Sequence, residues 1–293
     1  MSKLRRLWIK AKLGDSKALD ISSRLIREFL EHDLKVYLDP ILAKEFKLES
    51  ASLRDSEIRE DLVDAIVIVG GDGTLLNTIH RIPSDIPPII GINSDTIGFL
   101  YDYGEGELNE VINGIINGKY SLDVRSLGSL RFLRPKDEYI YRFLNEILII
   151  NKDAYKLLKF ELYVDEELMY RGRADGVIVA TTTGSSAYAL SAGGPFVDPS
   201  IEASVVVPLA PFSSLLKPLV LSSKRNIRIK VLHDSVAVLD GYIVRNLPFE
   251  GEVSIKMGED KISFIKFGKG RPLSWKLSNR LLDRPWSFKL DTE

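Results

Sequence analysis

The fold of this chain follows from one short segment, Ala65-Ile66-Val67-Ile68-Val69-Gly70-Gly71-Asp72-Gly73-Thr74-Leu75-Leu76. A run of small and β-branched apolar residues ends at a glycine pair. An acidic residue, another glycine and a threonine come next. This order predicts a buried strand that opens into a tight turn and then into a helix.

Asp72 is the unusual residue of this segment. In an open parallel sheet, ligands bind at the carboxyl ends of the strands, where a glycine-rich turn exposes backbone N–H groups to phosphate. A carboxylate repels a nearby polyphosphate, unless it binds a metal or takes a proton from an attacking hydroxyl. The segment therefore indicates either a phosphate-transfer site or an ordinary strand–helix turn with an acidic cap.

Length and composition are those of an ordinary globular protein. The 293 residues are enough for two domains, and 45% hydrophobic against 28% charged residues is unlike a disordered chain. A net charge of -1 argues against nucleic acid or a membrane surface as the main partner. The lack of cysteine excludes disulfides and thiolate metal sites and fits a reducing cytoplasm. With neither a signal peptide nor a bilayer-spanning run in the sequence, we expect a cytoplasmic protein.

Strand and helix patterns alternate in the first hundred residues. Buried strands and amphipathic helices follow one another, which is typical of βαβ units with a parallel sheet. The predicted strands are 7–11, 36–38, the segment that starts at 65, and 89–93, and the predicted helices are 16–32 and 74–81. The polar segment 45–60 is interpreted as plain surface.

Beyond residue 100 the apolar pattern changes. A helix is predicted at 107–117, and then many short segments with a period of two follow, separated by turn residues. We therefore predict a Rossmann-like α/β domain at 1–100 and a mostly antiparallel β domain at 101–269. The apolar tail at 274–288 is expected to pack on a domain surface, so 270–293 is assigned to the α/β domain.

Asn145 and Glu146 form a polar pair between apolar residues at 143–147. A buried pair of this kind needs hydrogen-bond partners. The asparagine amide both donates and accepts, which suits an adenine edge, and the glutamate suits ribose hydroxyls. The alternative interpretation is a turn at the end of a strand.

A longer run, from Arg173 to Pro195, joins a buried strand to hydroxyl-bearing and small residues, a short helical piece and a Gly-Gly-Pro turn. Small residues let a ligand approach the backbone, hydroxyls can bond phosphate or ribose, and Tyr188 offers a flat face for a base. The alternative is a Ser/Thr-rich loop. The segment 208–218 is interpreted as a rigid, proline-bounded loop, and Asp240-Gly241 as a hairpin turn.

These segments, in this order from about 65 to 245, resemble the NAD kinase family, in which the 2′-hydroxyl of the adenosine ribose of NAD is phosphorylated to give NADP. The Gly-Gly-Asp-Gly-Thr turn is shared with lipid kinases and phosphofructokinases, whereas the run from Thr183 to Pro195 is close to diagnostic. A lipid or sugar kinase, and a dinucleotide sensor without catalysis, are the alternatives. A lipid or sugar kinase should lack the run from Arg173 to Pro195, which this chain has. A dinucleotide sensor would be favoured if Asp72 were replaced, and Asp72 is present.

The resemblance implies roles for individual residues. Asp72 matches the family's proposed acceptor of the ribose hydroxyl proton. Residues matching the turn beside the transferred phosphoryl group are Gly70, Gly71, Gly73 and Thr74. Residues matching contacts to NAD are Asp72, Gly73, Asn145, Glu146, Arg173, Asp175, Thr183, Ser186, Ala187, Tyr188, Ser191 and Ala210.

The resemblance also implies partners. We expect NAD as acceptor, ATP or polyphosphate as donor, and a homodimer or homotetramer in which a neighbouring subunit helps to build the NAD site. No Asp/Glu cluster looks like a metal cage, so a divalent metal, expected to be Mg²⁺, should be carried by the nucleotide phosphates.

Some positions depart from the family pattern. Thr182 stands where proline is usual, and Asp95 where glycine is common. Phe212 replaces a frequent histidine, Lys217 a usual arginine, and Tyr242 a glutamine that often follows Asp-Gly. These changes are expected to bear on donor preference and oligomer contacts more than on the reaction, since Asp72 is retained.

Overall fold

The computed structural model describes residues 3–83, 85–95, 98–153 and 155–268. Contacts divide the chain into two compact units, Met1–Asp123 with Ser263–Glu293, and Val124–Ile262. The tail predicted to pack at 274–288 lies outside the described residues. Among the residues described, no helix is both long and apolar enough to cross a bilayer.

The sequence predicted domain boundaries near residues 100 and 270, whereas the two units divide after Asp123 and again at Ser263. The predicted helix after residue 100 belongs to the first unit, because its apolar residues, such as Val111 and Ile115, pack in the core of that unit. The chain rejoins the first unit at Ser263, and Phe264 pairs in parallel with Ile89.

The first unit contains the parallel sheet expected from the alternating pattern. Its central strands run in the order β2-β1-β3-β4, and β1 is parallel to both neighbours. Val67 of β3 pairs with Ile9 on one side and with Ile90 on the other. The strands are β1 Arg6–Ala11, β2 Lys35–Leu38, β3 Ala65–Gly70, β4 Ile89–Asn93 and β5 Tyr103–Gly104. The prediction of an N-terminal α/β domain is confirmed.

The helices of the first unit are α1 Ser16–Glu31, α2 Pro40–Glu45, α3 Asp72–Arg81 and α4 Leu108–Asn117. Helix α1 begins where the Asp15 side chain accepts from the Ala18 N–H, and α4 ends at Gly118 in the left-handed conformation that glycine tolerates. The segment interpreted as plain surface instead forms the end of α2 and short 3₁₀ turns at Glu49–Ala51 and Asp55–Glu57. Contacts distant in sequence hold it, since Lys10 Nζ lies 2.6 Å from Asp55 Oδ1.

The second unit is built from antiparallel strands, as predicted. One sheet has the order β13-β12-β11-β8-β15-β16, and a second includes β10-β9-β14-β17. The strands are β6 Ser121–Arg134, β7 Ile140–Phe143, β8 Glu146–Asn151, β9 Leu158–Val164, β10 Glu167–Ala174, β11 Gly176–Thr181, β12 Ala203–Leu209, β13 Leu219–Ser222, β14 Ile227–Val231, β15 Ser235–Leu239, β16 Ile243–Leu247 and β17 Glu252–Lys266. A short helix, α5 Tyr188–Ser191, follows β11.

The core of the second unit combines alternating residues of both sheets. Ile147 and Ile149 of β8 belong to the same buried cluster as Phe160 and Leu162 of β9. This packing makes β8 a fixed strand of the unit. The polar residues at its start are therefore held on a rigid element.

Candidate functional site

The glycine turn after β3 is closely packed. A Cβ atom at Gly70 would lie 2.6 Å from Thr74 Oγ1, and one at Gly71 would lie 1.9 Å from Asp95 Oδ2. A larger residue at either position would therefore require the neighbouring Thr74 or Asp95 side chain to shift. Helix α3 begins at Asp72, two residues earlier than predicted, because the Thr74 N–H already donates to the Gly71 carbonyl at 2.9 Å.

The Asp72 carboxylate is held by the backbone that follows β4. Its oxygens accept from the N–H groups of Phe99 and Leu100, at 3.0 Å and 3.1 Å. The Tyr101 hydroxyl donates to the Gly71 carbonyl at 2.9 Å. These contacts connect the glycine turn with the backbone of residues 99–101, and they fix the orientation of the carboxylate.

Charged groups also gather at the carboxyl ends of β1 and β4. Lys12 Nζ lies 2.6 Å from Asp95 Oδ1, and hydrogen bonding to this carboxylate raises the pKa of Lys12. Ser94 Oγ donates to Asp15 at 2.7 Å, and this bond lowers the pKa of Asp15. Sequence reasoning missed Lys12, although its position directly after β1 places it at the ligand-binding edge of a parallel sheet.

In the second unit, Asn145 and Glu146 lie where β7 gives way to β8. The three backbone N–H groups of Leu144, Asn145 and Glu146 all donate to the Asp240 carboxylate, at 2.7, 2.8 and 3.0 Å. Asp240 was interpreted only as a hairpin turn. The turn is present between β15 and β16, and its side chain in addition caps a segment about a hundred residues away.

The three carbonyl groups of the same segment are also occupied. Leu144 O accepts from Thr181 Oγ1 at 2.6 Å, Asn145 O from the Thr181 N–H at 2.9 Å, and Glu146 O from the Asp240 N–H at 2.9 Å. Gly184 packs against this backbone so closely that a Cβ atom there would lie 1.9 Å from Asn145 O. The main chain of 144–146 thus has partners for all its polar groups.

Unlike their backbone groups, the side chains of Asn145 and Glu146 have oxygen atoms that lack hydrogen-bond partners among the described residues. Asn145 Oδ1 and Glu146 Oε2 are buried atoms with no hydrogen-bond partner among the described residues, and the two residues are only 8% and 9% exposed. Burial, followed by the nearby charge of Asp240, raises the pKa of Glu146 to about 8, and the Tyr188 N–H opposes this shift. Two orphaned acceptors on consecutive residues indicate a place for a ligand that donates hydrogen bonds.

The hydroxyl-rich run after β11 is buried and partly serves the fold. Ser185 Oγ donates to the Thr182 carbonyl and accepts from the Val197 N–H at 2.9 Å, so it is a structural residue. Ser186 Oγ donates to the Thr183 carbonyl at 2.9 Å. Of the expected contacts in this run, Thr183 and Ser186 are buried, Ala187 is half-buried, and Tyr188 and Ser191 are exposed.

The remaining expected contacts lie near the junction of β10, β11 and β12. Arg173, Asp175 and Ala210 are exposed. The Arg173 guanidinium lies 4.1 Å from the ring centroid of Phe212, whose N–H donates to the Arg173 carbonyl. The phenylalanine that departs from the family pattern therefore stacks on one of the predicted binding residues.

No set of three or more His, Cys, Asp or Glu side chains among the described residues is arranged to hold a metal ion. The carboxylates at the glycine turn are engaged otherwise, Asp72 by two backbone N–H groups and Asp95 by Lys12.

Comparisons with known proteins relate both units of the chain to one family. The model of the ATP-NAD kinase N-terminal domain matches residues 7–120, and that of the ATP-NAD kinase C-terminal domain matches residues 144–267. The NAD kinase of Methanothermobacter thermautotrophicus is 34% identical over 271 residues, which cover 91% of this chain and 93% of that protein.

Two solved structures share the fold. A crystal structure of an NAD kinase from Archaeoglobus fulgidus in complex with ATP has a TM-score of 0.73 at 29% identity, covering 93% of this chain and 98% of that one. A crystal structure of yeast NADH kinase complexed with NADH has a TM-score of 0.85 at 23% identity, covering 99% and 90%. At the latter identity the likeness shows the fold alone.

Replacing Glu146 by glutamine tests the burial of its carboxyl group. The folded chain keeps this proton up to a pKa of about 8, against an ordinary value of 4.5. Between these values only the unfolded chain releases the proton, so this group makes the protein less stable as pH rises from 4.5 to about 8. Glu146→Gln should remove this loss, which is at most about 5 kcal/mol at ~1.4 kcal/mol per pKa unit.

The measurement is urea unfolding of the ligand-free protein at several pH values. We expect the variant to gain stability over the unmodified protein as pH rises, and to match it at acid pH. Parallel pH dependence of the two proteins would contradict the burial of an ionisable Glu146.

Proposed function

The chain belongs to the NAD kinase family, whose members phosphorylate NAD to NADP, and we propose that Asp72 is the base that takes the proton of the ribose 2′-hydroxyl. ATP is the phosphoryl donor in this proposal. Asn145 and Glu146 hold the adenosine part of NAD. The family models span both units of the chain and support this assignment.

One observation carries the proposal for NAD. Asn145 Oδ1 and Glu146 Oε2 are buried acceptors without partners in the described residues, carried on a backbone whose own polar groups are satisfied. Adenosine presents the donors that such a site needs, an exocyclic amino group and two ribose hydroxyls. An ionised Glu146 that accepts from a ribose hydroxyl recovers the hydrogen bonding that burial otherwise denies it.

The chemistry assigned to Asp72 follows from its geometry. A sugar hydroxyl is a weak nucleophile until its proton is removed in the transition state, and a positioned carboxylate can supply about 10²–10⁴-fold by removing it. The N–H groups of Phe99 and Leu100 restrict the rotation of the Asp72 carboxylate. A base held in one orientation loses little entropy in reaching the hydroxyl.

The donor phosphates are proposed to lie beside the turn formed by Gly70, Gly71, Gly73 and Thr74. Gly70, Gly71 and Gly73 carry no side chains, so a phosphate can approach the backbone N–H groups of the turn closely. Because the carboxylates here are already engaged, we propose that Mg²⁺ enters as part of a Mg–ATP substrate. Lys12 adds positive charge at the same edge of the sheet.

The remaining expected contacts to NAD are kept as proposals. These are Arg173, Asp175, Thr183, Ser186, Ala187, Tyr188, Ser191 and Ala210, of which the exposed members can reach a ligand without rearrangement. A homodimer or homotetramer, polyphosphate as an alternative donor and a cytoplasmic location also remain predictions.

The reaction itself is tested by incubating the purified protein with NAD, ATP and Mg²⁺ while NADP is followed with an NADP-specific dehydrogenase. We expect NADP to accumulate with ATP. A parallel reaction with polyphosphate in place of ATP measures donor choice. Failure to form NADP with either donor would overturn the proposed function.

Asp72→Asn tests the role of the base. The amide cannot accept the hydroxyl proton, so we expect turnover to fall by about 10²–10⁴-fold while NAD binding, measured by calorimetry, changes little. Loss of NAD binding instead would mean that Asp72 is mainly a ligand contact.

Asp64→Asn is the matched control for this variant. Asp64 also accepts from two consecutive backbone N–H groups, those of Arg5 and Arg6, each at 2.8 Å, but it precedes β3 whereas Asp72 follows that strand. We expect Asp64→Asn to lower thermal stability and to leave turnover close to that of the unmodified protein. An equal loss of turnover in both variants would indicate a structural role for Asp72.

A further inference from the structure

Asp240 has more contacts than its turn requires. It lies between β15 and β16, where Asp240 and Gly241 both adopt positive φ angles of 48° and 73° and the Tyr242 N–H closes the turn on the Leu239 carbonyl. Glycine or asparagine would satisfy this backbone conformation equally well. The Asp240 residue is nevertheless only 4% exposed, and its two oxygens accept from three consecutive N–H groups.

We propose that Asp240 is a positioning residue for NAD, which holds the backbone that carries Asn145 and Glu146 so that their side-chain oxygens face the ligand. This inference rests on the proposed NAD site. Asp240 contributes to this backbone twice, because its carboxylate takes all three N–H groups and its own N–H donates to the Glu146 carbonyl at 2.9 Å. Without the carboxylate three buried donors would lack a partner, and the segment would rearrange.

Asp240 has a second, electrostatic effect on the same site. Its negative charge disfavours ionisation of Glu146, in addition to burial, while the Tyr188 N–H favours it. A ribose hydroxyl donates best to the ionised carboxylate, so NAD affinity should rise with pH until Glu146 is ionised in the free protein and be level above that point. The pH at which the affinity becomes level therefore depends on the charge at position 240. If Asp240 had a purely structural role, its replacement would leave this pH unchanged.

Two substitutions separate these effects. Asp240→Asn removes the charge and turns one acceptor into a donor, so we expect the Kd for NAD to rise about tenfold or more and the level region of the pH profile to begin at lower pH. Asp240→Glu keeps the charge and moves the carboxylate, so we expect weaker NAD binding with the pH profile retained. In both variants binding of ATP alone should be unchanged.

Asp234→Asn is the matched control. Asp234 caps a single backbone N–H, that of Phe249 at 2.8 Å, and it precedes β15 whereas Asp240 follows that strand. We expect this variant to bind NAD with the affinity and pH profile of the unmodified protein. The control therefore shows what the loss of a capping carboxylate costs away from Asn145 and Glu146.

The test is calorimetric titration of NAD into each protein across the pH range from about 6 to 9, with circular dichroism as the check on folding. An Asp240→Asn protein with unchanged Kd and pH profile would overturn the inference. If that variant does not fold, Asp240→Glu decides, and NAD binding equal to that of the unmodified protein would overturn the inference. Failure of the unmodified protein to bind NAD would instead overturn the proposed function.

Discussion

The candidate NAD site depends on the hydrogen bonds between the Asp240 carboxylate and the backbone N–H groups of residues 144–146. These three bonds, together with the Thr181 contacts to two carbonyls and the Asp240 N–H bond to the third, leave the main chain of this segment with no unmet polar group. The buried oxygens of Asn145 and Glu146 are then the groups that still need partners. A rigid backbone and two unsatisfied side chains are what a site requires if it is organised before its ligand arrives.

The first unit uses the same physical device for a different purpose. The Asp72 carboxylate accepts from two consecutive N–H groups, which fixes a residue proposed to act as a base. In both units a buried or half-buried carboxylate organises a segment that is distant in sequence. The two units differ in the group that is proposed to act on the ligand. In the first unit it is the Asp72 carboxylate itself, whereas in the second unit it is the side chains of Asn145 and Glu146, which Asp240 positions.

Local patterns predicted most of the fold. The apolar run before Gly70 predicted a strand that is buried on both faces, and the alternating segments after residue 120 predicted antiparallel strands that are buried on one face. Both patterns arise directly from burial, so they can be recognised in the sequence. The early start of α3 and the 3₁₀ turns near Asp55 were missed, since they depend on contacts with other parts of the chain. The role of Asp240 was missed for the same reason, because a hairpin turn is all that Asp-Gly indicates locally. The burial of Asn145 and Glu146 could be predicted because a polar pair interrupts an apolar pattern.

The most direct measurement is the number of protons released when NAD binds. At neutral pH, below the Glu146 pKa of about 8, the ligand-free carboxyl is protonated, and binding to its ionised form must release that proton. Calorimetry of NAD binding in two buffers of different ionisation enthalpy measures this number. We predict a release approaching one proton near neutral pH that disappears in Glu146→Gln and at alkaline pH. Binding of NAD without proton release in the unmodified protein would contradict the account.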